Sequence, residues 1–332
     1  MSVSTLLTGL YGTGLQPMRD RPLPKMPGRL YAYVWKVSGR QQVWLCLLTL
    51  LLFPLTLAPL ELQRRIVDGA VDGVRMGDLL FLGGLYFGVV LVQGCLKYIR
   101  NVHVDRVREG VTRLLRLRMA QSKMFHVEAD DGTKQSIITA EAEKIGGFVS
   151  ESIAFPFLQA GIVVSVAGYM LVVESLMAVV ALGFFLPFLI AVFVIQPVLD
   201  RLSGHKIGAV RTLAQGVLAS RSAGDGRAGD GEPERCVERI YGLGMRFAVV
   251  KHAMKFINNF FGHLGPLGVL MVGGWLVLEG RTEIGTVVAF LSGFERMTDP
   301  ARELLGFYRR LSLMRVQYRL VRQTGDSAEA AI

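Results

Sequence analysis

Five charged side chains, Glu295, Arg296, Asp299, Arg302 and Glu303, stand in the last apolar stretch of this chain, with Pro300 among them. On a helix turning by ~100° per residue they share an arc of about 120°. Counted inward from Glu283, Glu295 to Asp299 fall in the cytoplasmic half of a bilayer. Charges there are expensive against lipid, so this face must look into protein or a wet cavity. Two roles fit. The i,i+3 pairs Arg296–Asp299 and Asp299–Arg302 can hold a helix end within a protein interior, or Glu295, Arg296, Asp299 and Arg302 can line a cavity through which a solute passes.

A second polar group lies at Asp130–Ser136. Asp130-Asp131 lacks the spaced third carboxylate of a metal–diphosphate site and reads as an exposed turn. No GxxxxGK[ST] loop, HExxH, G-x-S-x-G or paired Cys-x-x-Cys occurs. Leu202-Ser203-Gly204-His205 is faintly like an ATPase signature but has no phosphate-binding or acidic partner motif, so it reads as helix surface. Cys46, Cys95 and Cys236 have neither metal-ligand spacing nor the pattern of a disulfide framework. They read as small buried hydrophobes inside spans and one free loop thiol. The expectation is a chain with no catalytic residue, bound metal or cofactor of its own.

The elements that must position these residues are apolar. Of 332 residues, 51% are hydrophobic, and the mean hydropathy is +0.41. The excess falls into six windows, near 42–62, 79–97, 154–173, 176–199, 259–279 and 283–303, the last the weakest. Each has about 20 residues, enough to cross a ~30 Å hydrocarbon core. The net charge of +10 would suit a nucleic-acid binder, but its placement argues otherwise. Lys and Arg number six in residues 1–41, three in 63–78, ten in 97–153, none at 174–175, ten in 200–258, one in the fifth link and five after Glu303. Heavy and light segments alternate, which is the positive-inside pattern for six spans with both ends in the cytoplasm. The expected fold is therefore all-α and polytopic, in the plasma (inner) membrane, with lipid and not nucleic acid around it.

Two cytoplasmic insertions are long. In Lys97–Ile153, Val104, Val107, Val111, Leu114 and Leu115 follow the i, i+3, i+4 rule, while Arg106, Arg108, Arg113 and Arg116 take the other faces. The spacing predicts a helix running out of span two, a turn at Asp130–Thr133, and a helix returning through Ile145, Phe148 and Val149. Arg201–Arg221 and Arg235–Asn258 predict a second such hairpin, broken by the Gly/Asp-rich Ala223–Pro233. Residues 1–27 read as an irregular lead. Gly28–Gln41 reads as an interfacial amphipathic helix with Leu30, Val34 and Val37 on one face and Tyr31, Tyr33 and Trp35 at headgroup level. Pro54 and Pro59 predict kinks in span one, and Gly83, Gly84, Gly88 and Gly94 predict close helix approach at span two. Residues 323–332 read as a frayed tail.

This layout resembles the type-1 transmembrane domain of ABC exporters over residues 28–322. Gly28–Gln41 is similar to that family's elbow helix. Asp131-Gly132-Thr133-Lys134-Gln135-Ser136-Ile137-Ile138, followed by Glu141–Ile145, is similar to its first coupling helix and the helix after it. Gly285–Phe294 with Asp299-Pro300 and Arg302–Leu304 resembles its sixth span. The resemblance implies a homodimer or heterodimer of six-helix halves, and an ATPase subunit that carries ATP and Mg. It also implies cytoplasmic tips, near 131–138 and 227–239, that dock on nucleotide-binding domains. The family usually fuses its ATPase after the sixth span; here that domain is expected on a separate chain. A truncated or non-transporting scaffold that keeps the fold is the other reading.

Overall fold

The computed structural model describes residues 27–121, 142–222 and 232–330. Its helices are α1 Leu30–Val71, α2 Met76–Gln121, α3 at 142–151, α4 Ala154–Val173, α5 Ser175–Ser222, α6 Glu232–Leu278 and α7 Ile284–Ala330. Among the described residues no strand occurs. Five helical runs, α1, α2, α3–α4, α5 and α6, are long and apolar enough to cross a membrane. The protein is an all-α integral membrane protein. The seventh helix, α7, is as long as its neighbours (47 residues) but carries the charged face that lowers its hydropathy.

Length makes the hairpins. At ~1.5 Å per residue, the 48-residue α5 is about 72 Å long, more than twice a ~30 Å core. A helix of this length that spans the bilayer must continue well outside it. Only α4, at 20 residues, is cut to bilayer thickness by itself.

Several boundaries differ from the sequence expectations. The interfacial segment 28–41 and span one run as one helix, because nothing between Arg40 and Trp44 breaks the i→i−4 ladder and Ser38 returns its hydroxyl to the Val34 carbonyl (3.0 Å). The link expected at 63–78 shrinks to 72–75. Residues 63–71 stay helical, with i,i+4 ion pairs Glu61–Arg65 (2.8 Å) and Arg64–Asp68 (3.7 Å) along them. That link turns at Gly73 (φ 69°), where the Val74 N–H donates to the Gly69 carbonyl at 2.9 Å, and the α6–α7 link turns at Gly280 (φ 69°) by the same Schellman geometry, Arg281 N–H to Leu276 carbonyl at 2.9 Å. Between α4 and α5 only Glu174 intervenes, as the sequence suggests. The expected frayed tail is helical to Ala330, since Ala328, Glu329 and Ala330 favour the helix that Gly325 alone does not break.

The chain divides into two compact units. Among the described residues, one holds 27–56, 87–121, 142–161 and 306–330; the other holds 57–86, 162–222 and 232–305. In the first, the expected apolar stripe of α2 is buried: Val107, Val111, Leu114 and Leu115 pack with Ile145, Phe148 and Val149, with Leu30, Val34 and Val37, and with Phe307 and Tyr318. Tyr33 is not a headgroup anchor. It is buried, and its ring lies 5.4 Å from that of Tyr318, because the apolar side of α1 that was expected to face lipid is covered by protein. Tyr318 in turn donates to the Pro27 carbonyl (2.7 Å). In the second unit, α5 and α6 pack against each other, and the core gathers Met170, Met177, Phe185, Phe188, Val269, Leu276, Phe290, Phe294 and Met297. Among the described residues the glycines of α2 do not serve close approach: a Cβ at Gly83, Gly84, Gly88 or Gly94 would meet no other atom within 4 Å. Leu80, Phe81 and Phe87 on the same helix are exposed, as lipid-facing or partner-facing residues are. Cys95, expected to be buried, is also exposed.

One polar side chain ties α1 to α3. Gln42 is fully buried, and its Nε2 donates to the Val149 carbonyl at 2.8 Å and, more weakly, to Ser150 at 3.4 Å. Gln42→Leu keeps the volume but removes the donor, leaving buried carbonyl capacity unmet. The expected cost is about 1–3 kcal/mol, read as a lowered melting temperature in detergent. An unchanged melt would show that the amide is not holding these helices together.

Candidate functional site

The charged face of α7 is set by what its opposite side buries. Phe290, Phe294, Met297, Ala301 and Leu305 recur at helical spacing and enter the core of their unit. That fixes the rotation of α7 and turns the other side outward. Glu295, Asp299, Arg302 and Glu303 are exposed, and Arg296 is half-buried. The Arg302 guanidinium pairs with Asp299 at 3.6 Å and sits 5.3 Å from the ring centroid of Phe188, which gives a cation–π contact at the rim of the core. The Asp299 side chain is 86% exposed, so this pair does not hold the helix end inside its own unit. Charges of both signs displayed at membrane depth need water or another protein surface against them.

The start of α7 is held by residues that sequence reasoning missed. The Gly285 N–H donates to Asp68 Oδ1 at 2.6 Å, so a carboxylate from α1 caps α7 in trans. Arg64 reaches three carboxylates, Glu283 at 3.5 Å and Glu61 and Asp68 at 3.7 Å each. The Tyr169 hydroxyl on α4 donates to Glu61 Oε2 at 3.0 Å. This junction joins the C-terminal ends of α1 and α4 to the start of α7. The i,i+4 spacing of Arg64 and Asp68 was visible in the sequence, but Glu283 and Gly285, which they also hold, lie more than 200 residues away.

The hairpin tip at Asp131, Gly132, Thr133, Lys134, Gln135, Ser136, Ile137 and Ile138 lies outside the described residues. Its arms do not. Arg116 on α2 meets Glu143 on α3 at 3.5 Å, and Arg108 meets Glu151 at 3.4 Å, ion pairs that straddle the apolar seam between outgoing and returning helices. Gly146 allows this approach, since a Cβ there would overlap the Thr112 side chain. Of the second tip, 232–239 is helical and 227–231 falls outside the described residues. Leu202–His205 lies within α5, where Gly204 and His205 are exposed, so the segment is helix surface.

The family model described as the ABC transporter transmembrane region matches residues 44–215, just over half of the chain. The match runs from α1 through the first hairpin and well into α5. No curated protein matches the chain.

Proposed function

The chain belongs to the ABC transporter transmembrane family and is the membrane part of an ABC transporter; we propose that it is a permease subunit that exports its substrate and works with a nucleotide-binding ATPase on a separate chain. The carrying observation is the family match together with helices that continue far beyond bilayer length. In this reading two such halves pair, and the charged face of α7, with Glu295, Arg296, Asp299 and Arg302, looks into the cavity between them. Both hairpins and both ends lie in the cytoplasm of a plasma or inner membrane. ATP and Mg are assigned to a nucleotide-binding partner; the reading is supported by the lack of a GxxxxGK[ST] motif in this sequence.

Force then passes through the hairpins. Three of the four arms, α2, α5 and α6, run unbroken from the spans, and α3 meets α4 across a turn at 152–153, so a displacement at the tip tilts the spans it continues. Residues 131–136 orient the tip, and Ile137 and Ile138 fill a groove on the partner. Changing Gln135 and Ser136 together to arginine is the test. The variant is expected to insert normally, yet to lose co-purification with the ATPase or to hydrolyse ATP without transport. Transport and partner binding that both survive the change would remove the tip as the coupling element.

A further inference from the structure

A cavity of about 270 Å³ opens within the first unit, lined by Arg108, Lys144, Phe148, Glu151, Phe307 and Arg310, with Gly147 and Met314 completing it. Its chemistry is split. The floor is aromatic: Phe148 and Phe307 stack at 5.8 Å between centroids, both almost fully buried, and Phe155 adds its ring 5.9 Å from Phe307. The rim is cationic. Arg310 lies over the Phe155 ring at 4.9 Å, Arg108 comes from α2, and Lys144 comes from α3. One carboxylate, Glu151, stands between the two guanidiniums at 3.4 Å from Arg108 and 3.8 Å from Arg310. Asp105 also reaches Arg108, at 3.2 Å. Glu151 orients both arginines. The buried Nε of Arg108 has no hydrogen-bond partner among the described residues. As a whole the Arg108 side chain is 36% exposed and that of Arg310 48%, so both guanidiniums are accessible at the cavity rim to an anionic acceptor.

Depth narrows the class of anion. Lys144 and Glu151 precede the first residue of α4, Ala154, by ten and three positions, and Phe307 to Met314 lie four to eleven positions past Glu303. At ~1.5 Å per residue these groups sit roughly 5–16 Å beyond the hydrocarbon, so they begin in the headgroup layer of about 5–8 Å and extend about as far again below it, within reach of long Arg and Lys side chains. The volume is near the lower edge of the roughly 300–1,000 Å³ typical of small-molecule sites, enough for a headgroup and glycerol but not for a drug-sized solute. Basic pockets between helices on the cytoplasmic side suit acidic headgroups, and an aromatic floor suits what is attached to them. We propose that this cavity binds the phosphodiester of an anionic phospholipid of the cytoplasmic leaflet, with Arg108, Lys144 and Arg310 on the phosphate and the Phe148–Phe307 stack under the glycerol and first acyl carbons.

The inference rests on the membrane placement proposed above but not on any ATPase partner, so it stands or falls independently of coupling. The test is native mass spectrometry of the purified full chain with phosphatidylglycerol or phosphatidylcholine at equal concentration. Selective retention of phosphatidylglycerol is expected. Lys144→Gln and Arg310→Gln alter exposed side chains, so the fold should tolerate them. Each is expected to lower that retention about tenfold, the scale of one charge-assisted hydrogen bond, while phosphatidylcholine retention stays unchanged. Arg310→Lys, which keeps the charge, is expected to recover part of it. Millimolar inorganic phosphate should not displace the lipid, because it gains nothing from the aromatic floor. Equal retention of the two lipids, indifference to both glutamine variants, or displacement by free phosphate would each overturn the lipid assignment.

Discussion

Gly285→Ala is expected to lower the melting temperature of the purified chain more than any other single-methyl addition in its membrane helices. A Cβ at Gly285 would overlap the Arg64 backbone carbonyl and the Asp68 carboxylate. The first is part of a helix backbone and cannot rotate away. To make room, α7 must withdraw from α1, which breaks the 2.6 Å bond from the Gly285 N–H to Asp68. The Arg64–Glu283 pair at 3.5 Å is pulled apart by the same movement. Overpacking costs about 1–3 kcal/mol and the lost cap about 0.5–2 kcal/mol, so a total of roughly 2–5 kcal/mol is expected. Gly84→Ala is the matched control. A Cβ there meets nothing within 4 Å, and the better helix propensity should leave stability unchanged or raise it by up to about 1 kcal/mol. Thermal unfolding of both variants in the same detergent decides the matter. If the two melts shift alike, the close approach of α1 and α7 at Gly285 is wrong.

Val111→Asp should remove most of the folded protein. Val111 is fully buried in the cluster that joins the outgoing and returning arms of the first hairpin, among Val107, Leu115, Ile145 and Val149. A carboxylate there would sit among apolar side chains. Protonating it or burying it charged costs several kcal/mol. That is a large part of the ~5–15 kcal/mol that typically separates folded from unfolded domains. The expected readouts are a sharp fall in membrane-extracted, monodisperse protein and rapid proteolysis of the hairpin. Arg113→Asp, on the exposed face of the same helix, makes a larger change of charge and should be well tolerated. A stable Val111→Asp variant would mean that the arms do not pack along this stripe.

These two positions mark where sequence reasoning succeeded and where it stopped. Val111 was legible because burial on a helix leaves a local trace: apolar residues at 107, 111, 114 and 115 share one face, and that face found its partners. The six apolar windows, the long extramembrane arms and the one-residue link at Glu174 are also local in origin. Hydropathy, helix propensity and the 3.6-residue period act within a few turns. The same holds for the charged face of α7, whose side chains share an arc whatever surrounds them.

What surrounds them is a different matter. Gly285 carries no sign in the sequence that Asp68, 217 positions earlier, caps it. Arg64 could have been one more surface ion pair; its third carboxylate, Glu283, is supplied by the distant start of α7. Tyr33 has the composition of a headgroup anchor and was displaced from that role by Tyr318. The Arg108–Lys144–Arg310 cavity needs three elements at once and has no motif. The sequence by itself determined the apolar segments, their membrane character and the faces they must bury, because those follow from short-range periodicity and the cost of placing polar groups in lipid. The tertiary structure alone decided which helix covers which face, since any apolar stripe satisfies the same rule equally well and only packing between residues hundreds of positions apart selects one partner.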